Sequence, residues 1–266
     1  MAKRTDRGLE NREIVLDILM EVLERGSFVH MVLNQALDKY QYLDKADRAF
    51  ITRLTEGTLE YLIQIDYMIN QLSNVKVRKM KPMIRTILRM SVYQIMYMDR
   101  VPDSAACDEA VKLAVKRRFH GLKGFVNGVL RNVARQKETF VWPDDSVRYS
   151  IPEWILKLWE TKYSLKTIEV MAQSFLKPSK LAVRCNLDRA SKEQITESLK
   201  EQKVRIETSA YSDIILFLSE YDYLEGLHAY TEGWIQVQDM SSSFVAQAVP
   251  LKQGDYVIDV CGAPGG

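Results

Sequence analysis

Pro82-Met83-Ile84-Arg85-Thr86-Ile87-Leu88-Arg89-Met90-Ser91-Val92-Tyr93-Gln94-Ile95 carries the pattern that decides the fold of the first half of the chain. Ile84, Ile87, Leu88, Val92 and Ile95 return at the spacing of one helix face. Pro82 opens the run in the first turn, where its missing N–H would have had no partner in any case. On the N-terminal side the same periodicity recurs in Ile14, Val15, Ile18, Leu19 and Val22, and again in Phe50, Leu54, Tyr61, Leu62 and Ile65. Gly26, Pro102 and the pair Gly121/Gly124 punctuate the segments. No strand pattern interrupts the first 135 residues. An all-helical bundle is expected over residues 1–140.

The 266 residues are 47% hydrophobic and 27% charged, a globular composition that excludes disorder and collagen-like repetition. Three scattered cysteines, Cys107, Cys185 and Cys261, exclude a disulfide scaffold and fit a reducing cytoplasm. No apolar run approaches the roughly 20 residues needed to span a bilayer, and the start has no apolar stretch to serve as a signal peptide. Net charge is +2 overall, yet residues 1–137 carry +8 and residues 138–266 carry −6. A basic half of this kind hints at nucleic acid.

Past residue 137 the texture changes. Glu138–Ser150 is polar and reads as a linker. A helix with Trp154, Leu158 and Trp159 follows, then β-type runs at Leu181–Asn186, Val204–Glu207 and Ile214–Leu218. Between the first two, Ala190–Gln202 is helical in character, with Ser191 as its N-cap. This describes a small α+β, RRM-like subdomain over residues 145–230. Trp234–Gln238 as strand, Met240–Val249 as helix and Tyr256–Val260 as strand are expected to open a third unit over residues 231–266.

That third unit ends in Asp259-Val260-Cys261-Gly262-Ala263-Pro264-Gly265-Gly266. A β-branched run that ends in an acid and passes into a turn of small residues is how a buried parallel strand delivers its chain to a nucleotide-type cofactor. A plain tight turn is the other reading of the same residues. The pattern is neither a dinucleotide fingerprint nor a Walker loop.

The octet resembles the D-x-C-A-A-P-G-G-K signature of the RNA cytosine-5 methyltransferases, with Gly262 where alanine is usual. Trp234–Ser242 resembles the segment that precedes that family's catalytic core. The helical half resembles the NusB-like RNA-binding domain of the bacterial 16S rRNA subgroup, the Sun or Fmu type. The matching stretches are Asp47–Phe50, Gly57–Leu59, Arg100–Pro102, Asp108–Val111 and Gly124–Arg131. The fold implied is multi-domain: an all-α NusB-like bundle, a small α+β subdomain, then the start of an α/β Rossmann-like core dependent on S-adenosylmethionine (SAM). The function implied is methylation of a cytosine at C5 in 16S rRNA, at position 967 by subgroup habit.

By the same resemblance, Asp259, Cys261, Gly262, Ala263, Pro264, Gly265 and Gly266 bind the cofactor, with Cys261 a loop residue and not the nucleophile. Cytosine C5 needs activation: a thiolate adds at C6, C5 attacks the sulfonium methyl, and a base removes the C5 proton. The target base must leave its stack to reach the site. The family's two catalytic cysteines lie downstream of Gly266, so no catalytic residue is expected here. The chain is expected to be an inactive fragment, cut within the catalytic domain.

RNA contacts are expected from two basic clusters. Arg78, Lys79 and Lys81 lead into the Pro82 helix, where Arg85 and Arg89 share a face with Tyr93 one turn on. Lys112, Lys116, Arg117, Arg118 and Lys123 form the second. Such cations neutralise phosphates, and an interleaved aromatic can stack on an unpaired base. A charged stripe is also what any wet helix face carries. The cysteines and His30, His120 and His228 show no metal-ligand spacing. The expected partner is 16S rRNA, free or in an assembling small subunit, with no membrane and no metal. A non-catalytic antitermination-type RNA-binding module and a tRNA methyltransferase of the same family are the alternatives.

Overall fold

The computed structural model describes residues 2–176, 180–221, 223–250, 252–260 and 262. The chain divides into two compact units, residues 1–177 and 178–266.

The first unit is helical among its described residues. Its elements are α1 Ala2–Arg25, α2 Val29–Lys39, α3 Lys45–Glu60, α4 Leu62–Leu72, α5 Pro82–Tyr97, α6 Asp103–Lys116 and α7 Lys123–Gln136, followed by the shorter α8 Asp145–Tyr149, α9 Glu153–Glu160 and α10 Leu165–Phe175. α5 is the axis of the bundle, packed by α1, α3, α4, α6 and α7. Every residue from Thr86 to Ile95 is buried, so α5 has no wet face over that stretch. Pro82 occupies the first turn, as its chemistry dictates. Val15, Leu19, Leu54, Ile65, Ile84, Ile87, Leu88, Leu113, Val126 and Leu130 fill the core around it.

The polar stretch Glu138–Ser150, read from sequence as a linker, is fastened to α4. Ile63 N–H donates to Ser150 Oγ at 3.1 Å, Tyr67 O–H donates to the Val141 carbonyl at 3.0 Å, and Gln64 Nε2 donates to the Arg148 carbonyl. Asp144 caps α8 by accepting from Val147 N–H at 2.9 Å. Polar composition marks a linker only when those groups face water, and here they bond back to the bundle.

The second unit holds β1 Leu181–Cys185, α11 Lys192–Glu201, β2 Arg205–Thr208, β3 Ile215–Ser219, α12 His228–Thr231, β4 Ile235–Val237 and α13 Met240–Ala248. The sheet order is β2-β3-β1-β4, antiparallel at each pairing. Val183, Cys185, Leu216, Leu218 and Ile235 pack with Ile195 and Leu199 of α11 in one core. Ser191 caps α11 in a reciprocal box: its Oγ accepts from Gln194 N–H at 3.2 Å, and Gln194 Oε1 accepts from Ser191 N–H at 2.8 Å. Ser191→Ala is expected to cost this unit about 1 kcal/mol in urea denaturation. A loss below a few tenths would show that the cap is dispensable.

Two expectations for residues 231–266 are corrected. β4 does not open a new sheet: Val237, Gln236 and Ile235 pair with Val183, Arg184 and Cys185, completing the α+β sheet. Tyr256–Val260 forms no strand, and Tyr256 is 91% and Val260 89% exposed. A strand exists only through partners that satisfy its backbone and cover its side chains, and none of the described residues supplies them.

Candidate nucleic-acid interface

The folded chain sorts the basic candidates into three groups. Arg89 is locked inside. Its Nε and Nη2 donate to the two carboxylate oxygens of Asp66 at 2.7 and 2.6 Å, a bidentate fork on α5 and α4. Tyr93, expected one turn further along the same face, is fully buried and cannot stack on a base. Its ring lies against those of Tyr61 and Tyr97, and burial pushes its hydroxyl pKa up to about 12. The face that sequence reading turned toward RNA is turned toward the core.

A second group is engaged by carboxylates. Arg85 pairs with Glu24 at 2.5 Å. Lys112 pairs with Glu109 at 2.7 Å. Lys116 pairs with Glu13 at 2.6 Å, and that hydrogen bond raises the lysine pKa. Arg117 pairs with Asp17 at 2.6 Å and with Glu13 at 3.3 Å. Sequence reasoning missed these partners, although Glu13, Asp17, Glu21 and Glu24 form an acidic ridge along α1 that could have announced them.

The third group faces solvent. Arg78 and Lys79 are exposed on the short 3-10 turn Val77–Lys79. Lys81, the N-cap residue of α5, places Nζ 5.7 Å from the centroid of the Phe119 ring. That contact joins the two clusters, separate in sequence, into one surface with exposed Arg118, His120 and Lys123. Arg118 sits there by way of a Schellman stop. Phe119 N–H donates to the Ala114 carbonyl at 2.8 Å and Arg118 N–H to the Val115 carbonyl at 2.9 Å, which sets Arg118 at φ +67°. Glycine is usual at that position. An arginine held there costs on the order of 1 kcal/mol, as does Lys203 at φ +59° in the same kind of stop after α11.

Of the residues expected to bind the cofactor, Cys261, Ala263, Pro264, Gly265 and Gly266 lie outside the described residues. Asp259 and Gly262 are described: a Cβ built on Gly262 would stand 3.3 Å from Asp259 Oδ2, a contact that a small shift of that exposed side chain relieves, so the turn has room for an alanine as well. Cys107 and Cys185 are buried, and burial pushes both thiols up, away from the thiolate that nucleophilic attack requires. No group of three metal-ligating side chains occurs among the described residues, and no helix among them is long and apolar enough to cross a membrane.

Residues 9–135 match the NusB family, and residues 151–222 match the ferredoxin-like domain of RsmF/B-like methyltransferases. Fold and sequence thus define a NusB-type helical domain followed by a methyltransferase-associated ferredoxin-like domain. The chain is similar to proteins named ribosomal RNA small subunit methyltransferase B. It is 32% identical to the probable member from Bacillus subtilis over 96% of its own length, and 30% identical over 96% to that from Synechocystis. It spans 58% of the length of each. The crystal structure of PH0851 shares the fold, with a TM-score of 0.69 at 20% identity, over 95% of this chain and 59% of that one.

Proposed function

We propose that this chain is the RNA-engaging part of a SAM-dependent enzyme that methylates C5 of a cytosine in 16S rRNA, in the cytoplasm and on free or assembling small-subunit RNA. The names of the relatives support the reaction class and the RNA, and the signature at Asp259–Gly266 supports the donor. When bound, SAM supplies the methyl group. Asp259 and the turn Cys261–Gly266 would hold it, and the thiols that activate the base belong outside this chain. The work of the described residues is to seat the RNA.

The observation that carries the RNA half of this reading is the joined surface of Arg78, Lys79, Lys81 and Arg118, with Arg118 kept as a side chain at a glycine position. Exposed cations of this kind bind phosphate by releasing counterions, so affinity falls steeply with salt. The test is a salt titration of the chain with transcribed 16S rRNA, comparing wild type with Arg78→Gln/Lys79→Gln/Lys81→Gln/Arg118→Gln. The variant is expected to bind about 30-fold more weakly at 0.15 M salt, with a log–log slope shallower by about 3. Equal affinity and slope would remove this surface from the reading. Tighter binding to tRNA than to rRNA would move the substrate to tRNA.

A further inference from the structure

Four charges on α1 and the end of α6 are arranged as a resident competitor. Glu13 and Asp17 lie four residues apart on one face of α1, which sets their Cβ atoms about 5–6 Å apart, close to the step between successive phosphates of a nucleic-acid strand. Lys116 and Arg117, at the end of α6, take these two carboxylates at 2.6 Å each, and Glu13 bridges both cations. Arg118, the next residue, is exposed and belongs to the surface already described.

The bonding differs from that of a structural ion pair in the same fold. Arg89 gives Asp66 two parallel hydrogen bonds and is 11% exposed. Arg117 brings one nitrogen, Nη2, to both carboxylates, and its Nε is buried with no hydrogen-bond partner among the described residues. Asp17 is 58% and Lys116 47% exposed, against 24% for Glu13 and 25% for Arg117, so each pair has one end open to water. Pairs so open to water contribute little and are exchanged readily. A fork already satisfied has nothing to gain from a phosphate, whereas one held at a single nitrogen does.

We infer that Glu13 and Asp17 stand in for RNA phosphates on Lys116 and Arg117, so that RNA extends along this end of the surface only by displacing them. The inference rests on the RNA-binding reading above and adds what limits it. The carboxylates hold affinity down and confine unselective RNA to the Arg78–Lys81 and Arg118 end.

The test is the same salt titration with transcribed 16S rRNA, using the whole 266-residue chain and Glu13→Gln/Asp17→Asn. The variant is expected to bind about 3- to 10-fold more tightly at 0.15 M salt, with a log–log slope steeper by about 1 to 2. Asp17→Asn alone, at an exposed side chain, gives a smaller step in the same direction while leaving α1 undisturbed. Lys116→Ala/Arg117→Ala is expected to change wild-type affinity less than twofold, yet to abolish the gain in the Glu13→Gln/Asp17→Asn chain. Unchanged affinity and slope in both carboxylate variants would overturn the inference. So would a large loss from Lys116→Ala/Arg117→Ala in the wild-type background, since those cations would then be free already. If neither wild type nor variant binds RNA, the RNA-binding reading itself falls, and the inference falls with it.

Discussion

Gly57→Ala lowers the melting temperature of the helical unit by about 10 °C. Gly57 is a buried position on α3 where that helix meets α5, and a Cβ there would stand 2.0 Å from both Cζ and Oη of Tyr93. No side-chain carbon can occupy that space, so either the ring or the helix must move. The ring has nowhere to go. It is fully buried, its centroid is 5.9 Å from that of Tyr61 and 5.4 Å from that of Tyr97, and the Arg53 guanidinium lies 5.7 Å above it. Overpacking of this severity costs about 3 kcal/mol. Calorimetry of wild type, Gly57→Ala and Gly57→Ala/Tyr93→Leu checks it, because shortening the obstructing side chain should restore part of the loss. A single variant melting within 2 °C of wild type would mean that α3 and α5 can part without penalty.

Asp66→Ala is expected to cost about 3 kcal/mol, because it strands the Arg89 guanidinium between α4 and α5 with its two charge-assisted bonds unmade. The cost lies in the unpaired charge and not in the pair as such. Asp66→Ala/Arg89→Met, which replaces the fork with apolar volume, should therefore recover most of it. Urea denaturation of the two variants measures the difference, and equal stability of single and double variants would refute the account. Neither variant should alter the salt slope of RNA binding, since neither side chain belongs to the Arg78–Lys81 and Arg118 surface. That second readout separates Arg89 from Arg78, which sequence reading had placed in one group.

The elements were legible where local chemistry is decisive. The apolar spacing of the first 135 residues, Pro82 at a helix start, Ser191 as a cap, and the β-branched runs at Leu181, Val204 and Ile214 all correspond to observed elements. What the sequence could not show is which wet face meets which partner. Lys116 lies 103 residues from Glu13 and Arg85 lies 61 from Glu24, and no periodicity links residues so distant. A stripe of arginines looks the same whether it faces water or a buried aspartate, which is why Arg89 and Tyr93 were misplaced. Tyr256–Val260 has the composition of a strand, but composition supplies no neighbour to pair with. β4 shows the converse, since Ile235–Val237 read as the opening of a new sheet and found its partner in β1, fifty residues upstream.

The exposed Tyr256-Val257-Ile258 run has a consequence for anyone handling the chain. Three consecutive bulky side chains, each at least 62% bare, sit on backbone that no strand among the described residues pairs with. Copies of such a segment can stack edge to edge, hydrogen-bonding to one another as cross-β layers do. Asp255 and Asp259 flank the run and act as gatekeepers by mutual repulsion. Concentrated or high-salt solutions weaken that protection and favour precipitation, so dilute, low-salt buffers are the conditions in which the polypeptide keeps apart from itself.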